Sequence, residues 1–232
     1  MREVDRLMIE EYGIELIQMM ENAGRNLAAA GRDLFLAGDP AGRRVAVLCG
    51  TGGNGGGGLV AARRLSGWGA EVTVWLTKQS DTFTGVPAHQ LEILDRLDVE
   101  VRAADGISEL DADLVLDAII GYSLSGPPRG SAADLIQAAN AANAPVLSLD
   151  APSGVDTTTG QVHEPAVNAT ATLTLALPKA GLQTDEARSR VGDLYLADIG
   201  VPPELYAQPS LKLAPGLDVG PIFATEEIVR IW

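Results

Sequence analysis

The chain has 232 residues, a net charge of −14, 46% hydrophobic residues, 26 glycines and 4% aromatics. That length fits one domain, and the apolar content excludes disorder over the whole chain. The negative field repels phosphate backbones and anionic lipid, which argues against nucleic acid or a membrane surface as partner.

Cys49 is the one cysteine, so no intrachain disulfide can form. It ends an apolar run and reads as a small core residue. His89 and His163 lie far apart, and with one cysteine they argue against a zinc site. The start, MREVDRLMIEEYG, is charged and lacks the apolar core of a signal peptide. The longest uncharged stretch, 45–62, is crowded with glycine and does not read as a membrane helix. A cytoplasmic location is expected.

Residues 1–37 show helical spacing of Val4, Leu7, Met8, Ile17, Met20, Leu27 and Leu34, with Gly13 as a separator. VAVLC (45–49) reads as a buried strand entering the glycine run 50–58. A helix is expected over 59–65, a strand over 71–76, a helix over 87–97 and a short strand over 99–102. The unit then repeats: strand 113–119, loop 121–131, helix 132–142, strand 145–150. Two more strands are expected over 169–177 and 193–199, then an irregular tail over 202–232 with a short helix near Glu226. Strands alternating with helices predict an α/β fold: a Rossmann-like three-layer α/β/α sandwich with a mostly parallel sheet. The division is N-terminal helices 1–37, core 44–200 and tail 201–232, all in one domain.

In such sheets ligands bind beyond the carboxyl ends of the strands. Three loops lie there. Gly50, Gly52 and Gly55 satisfy G-x-G-x-x-G between a strand and a helix, a pattern that lets a phosphate approach the backbone. The alternative is a turn that serves helix–strand packing. The usual acid after the second strand is missing, because that strand ends Trp75-Leu76-Thr77-Lys78, and Glu71 begins it. In DAIIGYSLSGPPRG (117–130), backbone amides with Ser123 and Ser125 suit an anion, and Arg129 adds a bidentate donor. The alternative is a flexible lead to a helix capped at Ser131. In LSLDAPSGVD (147–156), a rigid turn aims Asp150, a candidate acid/base or ribose ligand, along the sheet. Capping the turn is its alternative role, and Asp156 reads as structural.

These segments, with LALPKAGL (175–182), MIEEYGIELIQMMENAG (8–24) and GDLYLADIGVP (192–202), resemble in order the motifs of YjeF N-terminal domains, the NAD(P)H-hydrate epimerases. The resemblance implies a Rossmann-like fold, often dimeric. It implies epimerisation of the R and S forms of hydrated NADH and NADPH, coupled to a separate dehydratase. It implies K⁺ held by Asn54, Asp117 and an oxygen near Ser153. The implied substrate positions are Gly53, Asn54, Gly55, Gly56, Gly57, the loop Gly121, Tyr122, Ser123, Leu124, Ser125, Gly126 and Pro127, and Asp150. Arg129 and Lys179 are further candidates. Lys179 follows a strand end and could meet a phosphate, or be a surface lysine after Pro178.

One departure bears on function. The family loop usually reads G-x-G-N-N-G-G-D-G, and here its first Asn is Gly53 and its Asp is Gly57. A lost general acid/base would lower turnover about 10²–10⁴-fold. A lost cap would cost a few tenths of a kcal/mol. A non-catalytic nucleotide-binding or protein-interaction module is therefore the second reading. An ordinary NAD(P)-dependent oxidoreductase, resting on the glycine pattern alone, is the third.

Overall fold

The computed structural model describes residues 1–107, 109–211, 213 and 219–232. The part of the tail at 212 and 214–218 lies outside the described residues.

The chain opens with α1 (Arg2–Glu10) and α2 (Leu16–Phe35), separated by Gly13 at φ +67°. Then follow β1 (Arg44–Cys49), α3 (Gly53–Gly67), β2 (Glu71–Leu76), α4 (Gly85–Arg96) and β3 (Glu100–Ala103). The second run is β4 (Leu114–Ala118), α5 (Ser131–Ala141), β5 (Val146–Leu149), β6 (Ala171–Leu175), α6 (Asp185–Val191) and β7 (Asp193–Ala197). A short α7 (Pro203–Tyr206) and β8 (Ile228–Arg230) end it.

The strands form one sheet, in the order β3-β2-β1-β4-β5-β6-β7-β8. All neighbours are parallel except β7 and β8. β4 is buried at every position, as a central strand covered on both faces must be. On one face, Val47 and Cys49 of β1 join Leu27 of α2, Leu59 and Leu65 of α3, and Leu94 of α4. On the other, Ala46 and Leu48 join Leu135 and Ile136 of α5. A third cluster joins Val4, Leu7 and Met8 of α1 to Met19, Leu196 and Leu205. That cluster folds α1 back beside the site. The expected three-layer sandwich is observed.

Three local expectations need correction. The glycine run is not a loop throughout: α3 begins at Gly53, not 59. Glycine costs about 1 kcal/mol per helical position relative to alanine, so local propensity opposes this. Packing decides it. A Cβ on Gly24 of α2 would lie 2.4 Å from Val60 Cβ, and one on Gly55 would lie 1.7 Å from the Gly50 carbonyl oxygen. The short helix expected near Glu226 is a single 3-10 turn at Ile222–Ala224, before that residue, and residues 228–230 form β8, paired with β7. α6 arises where no helix was expected, capped by the Thr184 hydroxyl accepting from the Ala187 N–H.

Candidate active site at the switch point

The chain leaves β1 towards β2 and later returns to its other side as β4, so the crevice beyond β1 is the topological switch point. Two cavities open there. The first, of about 390 Å³, is walled by Asn54, Gly121, Tyr122, Leu149 and Asp150 from the strand ends, and by Asp5 and Met20 from α1 and α2. The second, of about 470 Å³, lies over Gly50 to Gly53 and is flanked by Thr77, Lys78, Arg129 and Ser131. They share Gly53, Asn54, Gly121 and Ser123.

Asp150 follows β5 at φ +68°, a left-handed conformation that costs a non-glycine residue of order 1–3 kcal/mol. Its N–H donates to the Leu173 carbonyl at 2.8 Å, which anchors the turn. Oδ1 accepts from Lys179 Nζ at 2.5 Å, and Oδ2 accepts from the Tyr122 N–H at 2.9 Å. Lys179 Nζ also donates to the Leu175 carbonyl at 2.7 Å. Lys179 is buried, not a surface lysine, and burial pulls its pKa below the ordinary lysine value against the opposing Asp150 charge.

Gly121 explains itself by close approach. A Cβ there would sit 2.9 Å from Asp150 Oδ2 and 3.0 Å from Asn54 Oδ1. The Tyr122 hydroxyl donates to the Asp5 carboxylate across the cavity mouth. Burial, then this contact, pushes the phenol pKa above its ordinary value.

Asp117, at the end of β4, is fully buried. It accepts from Ser148 Oγ at 2.7 Å, Ser153 Oγ at 2.6 Å, the Ser153 N–H at 2.9 Å and the Ile119 N–H at 3.3 Å. Burial raises its pKa, against these four donors. No basic side chain donates to it among the described residues. Ser153 Oγ accepts from the Ile120 N–H at 2.9 Å, which ties this network to the backbone before Gly121. Asn54 Nδ2 is buried with no partner among the described residues. The carboxylate oxygens of Asp117 and the amide oxygen of Asn54 are hard ligands of the type a monovalent cation takes, whereas Asn54 Nδ2 is a hydrogen-bond donor and cannot ligate one.

The other expected positions divide. Gly53 lines both cavities. Gly55, Gly56 and Gly57 are buried inside α3 and line neither. A Cβ on Gly57 would meet Leu149 Cδ2 at 2.8 Å and Ala23 Cβ at 3.9 Å, and both of those residues wall the first cavity. Leu124, Ser125, Gly126 and Pro127 line a separate groove of about 480 Å³ on the outer side of their loop, with Arg129 at its junction with the second cavity. Gly130, not Ser131, is the cap residue of α5. Glu71 starts β2, at the end of the sheet away from the site. Asp156 holds a turn by accepting from the N–H groups of Thr158 and Thr159. Cys49 is buried. Sequence reasoning missed Asp5, whose partner Tyr122 is 117 positions away, and Lys78, whose signal was the missing acid after β2.

No described helix is long and apolar enough to cross a membrane. The sequence matches the family described as YjeF-related protein N-terminus over residues 16–181. It is 47% identical over 215 residues to an NAD(P)H-hydrate epimerase of Dehalogenimonas lykanthroporepellens, covering 91% of this chain and 84% of that one. It is 38% identical to an NAD(P)H-hydrate epimerase of Truepera radiovictrix, covering 91% and 92%. It is 39% identical to a bifunctional NAD(P)H-hydrate repair enzyme of Moorella thermoacetica, of which it spans 40%. The crystal structure of yeast YNL200c superposes with a TM-score of 0.74 at 25% identity, covering 99% of this chain and 96% of that one. With its fold and most of its length in agreement, the chain belongs to the family of YjeF-related protein N-termini.

Proposed function

We propose that this chain is an isomerase that interconverts the R and S forms of hydrated NADH and NADPH in repair of the nicotinamide cofactor. The observation that carries the reading is Asp150, held in a strained turn at the wall of the first cavity with Lys179 behind it. Relatives named as epimerases support it.

Inverting C6 of the hydrated ring breaks and remakes a bond at that carbon, and both steps move a proton. Asp150 is the residue that holds or moves it, and Lys179 orients and charges the carboxylate. Met20 and Leu149 supply the apolar wall against the ring. The open N-terminus of α3 at Gly52 and Gly53 faces the diphosphate. Asn54, Asp117 and a Ser153 oxygen would hold K⁺, which when bound offsets the buried charge of Asp117. The same reading pairs the chain with a dehydratase that consumes one epimer, which the bifunctional repair relatives support. It also expects a cytoplasmic homodimer, checked by cell fractionation and sedimentation.

The test is loss of stereochemical purity in separated R and S hydrates of NADH, against the spontaneous rate. Wild type is expected to epimerise them rapidly, Asp150→Asn about 10²–10⁴-fold more slowly. Replacing K⁺ by a large organic cation is expected to slow wild type. Folded wild type at the spontaneous rate would shift the assignment to the binding module, which Gly57 favours.

A further inference from the structure

We propose that the second cavity reads the phosphate on the adenosine ribose, with Lys78 as the selecting cation, so that hydrated NADPH is preferred to hydrated NADH. The inference rests on the epimerase reading and names the substrate preference of that site.

The first observation is position. In a dinucleotide crevice the residues after the second strand meet the adenosine ribose. An acid there binds the 2′-hydroxyl and rejects a 2′-phosphate, whereas a cation accommodates it. Here β2 ends at Leu76, and Thr77 and Lys78 turn onto the second cavity.

The second observation is charge. The protein carries −14, yet no carboxylate lines this cavity among the described residues. Most described arginines, and Lys179, are held in ion pairs. Lys78 and Arg129 form none among the described residues, and both are exposed on this cavity from different loops. Two unpaired cations facing one hollow in an acidic protein make a local reversal of the field, and a dianion is what that reversal attracts.

The third observation is continuity. The two cavities share Gly53, Asn54, Gly121 and Ser123. A dinucleotide with its ring against Asp150 and its diphosphate over Gly52 and Gly53 extends its ribose towards Lys78.

The experiment compares kcat/KM for hydrated NADPH and hydrated NADH in wild type, Lys78→Ala and Lys78→Glu. Wild type is expected to favour the NADPH form by about tenfold or more, as a charge-assisted phosphate contact gives. Lys78→Ala is expected to bring the ratio near unity through KM, and Lys78→Glu to invert it. The ratio is the readout, because a folding defect lowers both values alike. A ratio near unity in wild type, or one unmoved by Lys78→Glu, overturns the proposal. Calorimetry with adenosine 2′,5′-bisphosphate and with 5′-AMP separates this failure from failure of the epimerase reading, since it needs no turnover. Tighter binding of the bisphosphate, lost in Lys78→Glu, upholds the phosphate site even if epimerisation is absent. Equal binding of the two overturns it whatever the activity.

Discussion

Lys179 Nζ lies 2.5 Å from Asp150 Oδ1 in an ion pair whose members are 7% and 2% exposed. Breaking a buried pair from one side leaves the other charge without a partner, at about 3–5 kcal/mol. Lys179→Met strands a carboxylate beside an apolar wall and is expected to cost that much in urea unfolding. Asp150→Asn is expected to cost less. The stranded lysine already has its pKa lowered by burial and can shed its proton. Equal losses from the two variants would contradict this asymmetry.

The Tyr122 phenol holds Asp5, and so α1, across the mouth of the first cavity. Tyr122→Phe removes that tie and leaves a carboxylate unsatisfied. The expected result is a rise in KM of about tenfold with a much smaller change in kcat, since a hydrogen bond to a charged group is worth about 1.5–3 kcal/mol. Asp5→Asn still accepts from the phenol and is expected to raise KM less. A fall in kcat with KM unchanged would instead put Tyr122 in the proton path.

What the sequence made legible follows from which forces are local. Parallel strands buried on both faces read as apolar runs, so β1 and β4 stood out, and β2 stood out by its alternation of buried Val72, Val74 and Leu76 with less buried neighbours. The strand-end acids Asp117 and Asp150 stood out for the same reason, a carboxylate closing an apolar run. The helical state of Gly53 to Gly58 did not, because it is imposed by α2 and β1 against the local preference of glycine. β8 has three residues, too few for a readable pattern, and is held by its pairing with β7 and by Ile228 against the core. The Asp5–Tyr122 and Asp150–Lys179 contacts link separate segments that no local pattern connects.

The glycines of α3 divide by what surrounds them, which makes a paired test. A Cβ on Gly53 meets nothing within 4 Å, so Gly53→Ala is expected to stabilise the fold by about 0.4–1 kcal/mol through loss of unfolded-state freedom. A Cβ on Gly55 would lie 1.7 Å from the Gly50 carbonyl oxygen, a backbone atom that cannot swing away. Gly55→Ala is expected to destabilise by about 1–3 kcal/mol or more. Thermal melts of the two variants should move in opposite directions. Equal shifts would mean that the close approach of this loop to α3 is not a constraint on folding.

Asp156 supplies the pH dependence that belongs to the fold rather than to the site. Its Oδ1 accepts from the N–H groups of Thr158 and Thr159, each at 2.8 Å, and these bonds hold its pKa below the ordinary 3.8. The folded state therefore binds this proton less readily than the unfolded chain. The stabilisation is complete above the ordinary carboxylate value and is lost as pH falls through the lowered folded value. Asp156→Asn is expected to be about 1 kcal/mol less stable at neutral pH, because a neutral amide oxygen accepts more weakly than a carboxylate. The difference should close as acid protonates the wild-type side chain. Urea unfolding of both proteins across the acidic range measures it. A gap that stayed constant with pH would show that the charge of Asp156 contributes nothing and that shape alone holds the turn.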